Sequence, residues 1–83
     1  MKIIRLHSNY LQARKIKTTI SALEGPSYKG VVEVVATSSE TAVVVALGER
    51  ILVNEHAGKD LEDGTLLLMT DHILAWIEND SNT

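Results

Sequence analysis

The chain has 83 residues, of which 45% are apolar and 23% charged, with a formal net charge of −3 and no cysteine. That length makes one domain with a thin stability margin, and the lack of cysteine excludes disulfides, thiolate zinc sites and cysteine nucleophiles. No apolar run reaches the roughly eighteen residues needed to span a bilayer, and Arg5 and His7 interrupt the apolar start before a signal-peptide core can form, so a cytoplasmic setting with no membrane contact is expected.

Met1 to His7 reads as a strand or an extended arm. Ser8 or Asn9 can cap a short helical turn over Tyr10 to Arg14, with Gln12 at the third position after Asn9. From Lys15 to Ala22 the residues alternate, Ile16, Thr18, Ile20 and Ala22 on one face and Lys15, Lys17, Thr19 and Ser21 on the other, which predicts a strand with one solvated face. Glu24-Gly25-Pro26-Ser27 marks a turn, and Tyr28 opens a long second strand in which Gly30 suits a bend.

The stretch Gly30 to Val53 carries most of the pattern. Two valine-rich runs flank Thr37-Ser38-Ser39-Glu40-Thr41, and β-branched residues in such runs predict antiparallel strands joined by tight turns, with Thr41 to Leu47 as a strand covered on both sides. Gly48-Glu49 turns the chain into a strand over Arg50 to Val53. Asn54 to Asp60 is a polar loop and Leu61 to Gly64 another turn. Leu66 to Met69 and Ile73 to Ile77 read as two strands with a tight connection at Thr70-Asp71-His72, though Ile73, Leu74 and Ile77 also fit one face of a helix. Residues 1–78 are expected to form the domain and residues 79–83 a polar tail.

Charge is distributed unevenly. Residues 1–30 hold six basic residues against one acid, whereas residues 31–83 hold ten acids against two basic residues. Arg14, Lys15 and Lys17, with Tyr10 and Tyr28 as stacking platforms, are the candidates for an anion or nucleic-acid surface. The more economical reading is self-complementarity, in which the two parts of one fold or of neighbouring subunits pair their charges, because nucleic-acid domains usually carry net positive charge.

Catalytic chemistry has little to stand on. His7, His56 and His72 show no metal-ligand spacing and read as surface loop residues, so neither a metal nor a cofactor is expected. Ser38 and Ser39 lack the glycine context of a nucleophile elbow, and the carboxylates Glu55, Asp60, Glu62 and Asp63 read as a solvated loop. No glycine-rich loop opens a helix to cradle phosphate.

The order of a wet first strand, a glycine-bent second strand and a late apolar strand passing through a short turn into a last strand resembles the Sm-like small barrel. Ile16 to Leu47 carries the first part of the resemblance and Gly64 to Ile77 the second. Gly30 to Asn54 is also similar to the middle β domain of small-conductance mechanosensitive channels. The resemblance implies a mainly β fold, a small Sm-like or SH3-like barrel of about five antiparallel strands, and ring-like assembly through the last strand, with Leu74 and Trp76 at the interface. RNA-binding Sm proteins place an aspartate and an asparagine after the bent strand and an arginine-glycine pair in the late turn. This chain has Ser38-Ser39-Glu40 and Asp71-His72 there, and acids repel phosphate. The expected function is therefore a non-enzymatic homo-oligomeric binding or scaffold module, the alternatives being an RNA-binding Sm-like protein and a small regulator or inhibitor of another protein.

Overall fold

The computed structural model describes residues 3–19 and 25–78, and they form a single antiparallel sheet. Its strands are β1 (Tyr10–Thr19), β2 (Pro26–Thr37), β3 (Arg50–Val53), β4 (Lys59–Asp60), β5 (Thr65–Met69) and β6 (Ile73–Ile77). Their spatial order is β4-β5-β1-β2-β3-β6. Helical structure among the described residues amounts to two three-residue 3-10 turns, Thr41–Val43 and Thr70–His72.

The segment Tyr10 to Arg14, expected as a helical turn, is instead the start of β1. It pairs with β5 on one side and β2 on the other, so both rows of backbone groups are satisfied by ladders that one isolated helical turn could not match. Leu11 and Ala13 are fully buried while Arg14 is exposed, the period of two that a strand imposes. The groups of the expected cap are used elsewhere: the Ser8 carbonyl accepts from the hydroxyls of Ser38 and Thr41, and the Asn9 carbonyl from the Thr70 N–H. The alternation read over Lys15 to Ala22 therefore begins earlier, and Ile20 and Ala22 lie outside the described residues.

Gly30 bends β2 as expected. On either side of it the register jumps from Lys15↔Val32 to Lys17↔Tyr28, so Lys29, Gly30 and Val31 stand against Ile16 alone. Gly30 has φ of +95°, and a Cβ there would lie 2.1 Å from the Val53 carbonyl oxygen. Only glycine lets β2 approach β3 this closely.

The strand expected over Thr41 to Leu47 is a loop. Ser38 and Thr41 start it as a helical turn, because the Thr41 N–H donates to Ser38 Oγ while the Val44 and Val45 N–H groups both reach the Thr41 carbonyl. Of the apolar run only Val45 enters the core, and Val43 is 88% exposed. The chain rejoins the sheet at Gly48 and Glu49, which exchange backbone bonds with Val34. The strands over Arg50–Val53, Thr65–Met69 and Ile73–Ile77 and the turn at Leu61 to Gly64 stand where the sequence puts them.

The sheet is open but curled. Three strands separate β5 from β6, so on a flat sheet they would lie roughly 19 Å apart. Met69 and Ile73 are joined by Thr70–His72 alone, a link that spans at most about 14 Å. The curl encloses Leu11, Val32, Val34, Ile51, Val53 and Leu68, each at most 2% exposed. At roughly 1.5–3 kcal/mol for each large aliphatic side chain, these residues supply most of what holds the chain together.

Candidate functional site

The five residues named as an anion surface do not converge. Lys15 lies opposite Val32, on the side of β1 that carries Leu11 and Ala13, rather than on the solvated face. Its ammonium reaches Asp60 at 2.8 Å and lies 5.3 Å from the centre of the Tyr28 ring. The hydrogen bond that the ammonium donates to Asp60 is the main reason that the Lys15 pKa is raised. Tyr28 packs against the core with its hydroxyl buried and unpartnered, and burial is the leading cause of its raised pKa. Arg14 stands directly opposite Glu33 on β2 and is ion-paired with it, while Glu33 in turn stands opposite Arg50 on β3. Tyr10 sits at the other end of β1, opposite Met69 and edge-on to His7, about 23 Å along the strand from the Lys17–Tyr28 pair. Lys17 alone of the three cations is exposed with no ion pair among the described residues.

The loop residues read as a surface turn do structural work. Ser38 is 5% exposed, and its hydroxyl, the Thr41 hydroxyl and the Ser8 carbonyl form a triangle with sides of 2.6, 2.8 and 3.0 Å. This knot ties the start of the β2–β3 loop to the residue that leads into β1. The serine three residues ahead of Thr41 was the sequence signal for it. His72, expected on the surface, is half-buried, and its Nδ1 accepts from the Met69 N–H at 3.0 Å, which closes the turn between β5 and β6. Among the described residues no group of three histidines or acids could hold a metal, and no helix is long and apolar enough to cross a membrane.

What the fold leaves open is apolar. β6 is the last strand of the sheet, among the described residues pairing only with β3, and its sequence Ile73-Leu74-Ala75-Trp76-Ile77 carries no charge. Edge strands are usually blunted by lysine, proline or a covering element. Here Ile73 packs on the core while Leu74 is 64% and Trp76 51% exposed. Trp76 stands opposite the fully buried Ile51, so it lies on the core-facing side yet overhangs an edge that no further strand of the described residues covers. Residues 3–7 before β1 belong to no strand, and Ile4 is 91% exposed. The only backbone bond of this arm to a described residue is that of the His7 carbonyl with the Tyr10 N–H.

At the opposite edge the arm covers a cavity of about 340 Å³. Leu6, Tyr10, Leu61 and Leu67 line it, with Arg5 and Lys59 at its rim. Leu67 and Tyr10 point away from the core, since their neighbours Leu66, Leu68 and Leu11 are buried, so the cavity lies on the outer face of β4, β5 and β1. Neither family models, curated proteins nor solved structures give a match to this chain.

Proposed function

We propose that this chain is a non-enzymatic, homo-oligomeric module, a small barrel of the Sm-like or SH3-like kind that works as a scaffold and assembles through its last strand. The observation that carries this reading is β6, an uncharged strand with an open hydrogen-bonding edge and two large exposed apolar side chains, Leu74 and Trp76. A second chain that adds a strand to this edge satisfies its backbone groups and covers both side chains. The arm of residues 3–7, whose backbone makes a single bond to the described residues and whose Ile4 is exposed, is the segment that a neighbour would contribute. The exposed Val43, Val44 and Leu47 of the β2–β3 loop add further apolar surface. RNA binding is the weaker reading, since Glu33 and Asp60 already engage Arg14 and Lys15.

Leu74→Lys tests the assignment. The side chain is exposed, so the folded chain should lose no more than about 0.5 kcal/mol, whereas a charge on the shared edge should break the assembly. Sedimentation velocity should show wild-type oligomers and a folded monomeric variant. A variant that keeps the wild-type mass places the interface elsewhere.

A further inference from the structure

We infer that the cavity under the arm receives Trp76 of a second copy; this rests on the self-association proposed above. Trp76 belongs to β6 at one end of the strand order, and the cavity is lined from β4 and β5 at the other end. A projection and a recess at different places on one chain join copies either reciprocally, in a two-fold pair, or head to tail, in a ring if the rotation per subunit closes. The volume of about 340 Å³ is at the small end of the range for ligand sites and is large enough to admit an indole together with part of its neighbouring residues. Its walls Leu6, Leu61 and Leu67 suit an indole, and Tyr10 offers an aromatic neighbour.

Charge fixes the orientation. Arg5 and Lys59 at the rim are exposed and form no ion pair among the described residues, and Glu78, two residues beyond Trp76, is exposed too. When the indole enters the recess, the carboxylate that follows it reaches a basic rim. Arg5 of the basic first part thus meets Glu78 of the acidic second part across the contact, as Arg14 and Lys15 meet Glu33 and Asp60 within each fold. The arm forms one wall of the recess, so β6 of a neighbour laid along the arm carries Trp76 to the cavity mouth.

Trp76 is the single tryptophan, which makes its emission a direct reporter. Fluorescence and sedimentation are followed together through a dilution series of the full chain. The expected result is a blue shift of the emission maximum that rises in step with mass. Leu61→Lys, which places a charge in the recess, should weaken association by about thirtyfold or more, the scale of losing an aromatic anchor, and should remove the shift. Should that variant not fold, the exposed Lys59→Glu should also weaken association, and Lys59→Glu with Glu78→Lys should restore it. Oligomers in which Trp76 emission stays that of a solvated indole overturn the inference and leave self-association standing, as do recess or rim variants that assemble like the wild type. A chain that stays monomeric throughout removes both.

Discussion

Gly30→Ala tests the curl of the sheet. The added Cβ would lie 2.1 Å from the Val53 carbonyl oxygen, whereas real Cβ atoms essentially never come within 3.0 Å, so β2 and β3 must part by about 1 Å. Holding an L-residue at positive φ costs roughly 1–2 kcal/mol. Parting the strands weakens one or two ladder bonds at about 1 kcal/mol each. It also loosens Val53, which is 2% exposed, by about 0.5–1.5 kcal/mol. The total is about 2.5–5.5 kcal/mol, against a stability of roughly 4–12 kcal/mol for a chain of this length. Gly64→Ala is the control, since Gly64 has φ of +87° but nothing within 4 Å of its added Cβ, and it should cost only the conformational part. Urea denaturation of both variants at one protein concentration measures the difference, the fixed concentration being needed because association adds to apparent stability. Equal losses at the two positions would refute the reasoning, because the close approach to Val53 would then contribute nothing.

Ser38→Ala should cost about 1–2 kcal/mol in the same assay, because it strands the buried Thr41 N–H and removes one side of the knot with Ser8; a loss under about 0.3 kcal/mol would dismiss the knot as a stabilising feature. Glu40→Ala, by contrast, should change stability by no more than about 0.5 kcal/mol, since Glu40 is exposed and its carboxylate meets only the Ser39 hydroxyl among the described residues; a larger loss would reveal an ion pair with a neighbouring subunit. The Asp63 pKa lies below the ordinary 3.8, chiefly through the Thr65 hydroxyl bond, so this carboxylate stabilises the fold above 3.8 and the contribution is lost as pH falls through the depressed value. Thr65→Val should move the Asp63 titration, followed by NMR, upward towards 3.8, and an unmoved titration would contradict the assigned cause.

Much of the sheet was legible because short apolar runs bounded by glycine leave few options. Gly64 before Thr65, and Thr70 to His72 between two apolar runs, delimited β5 and β6 directly. The valine run from Ala42 to Leu47 misled because β-branched composition measures fitness for a pleated, half-buried surface, not whether such a surface is available. The core had room for Val45, and the Ser38–Thr41 capping geometry had already turned the chain. At Tyr10 to Arg14 a cap signal competed with the alternation of Leu11 and Ala13, and two flanking ladders decided for the strand. Leu74 and Trp76 were named through the resemblance, in which the last strand pairs across subunits, and the fold leaves both side chains exposed. The recess opposite them could not be named from the sequence, since Leu6, Lys59, Leu61 and Leu67 come together only through the strand order.

The mass of the wild-type chain in solution tests the central claim most directly. Sedimentation equilibrium or light scattering at tens of micromolar should give an integral multiple of the 9.1 kDa chain that falls on dilution or on Leu74→Lys. A single species of 9.1 kDa at every concentration would contradict assembly through β6 and leave Leu74 and Trp76 as surface residues without a partner.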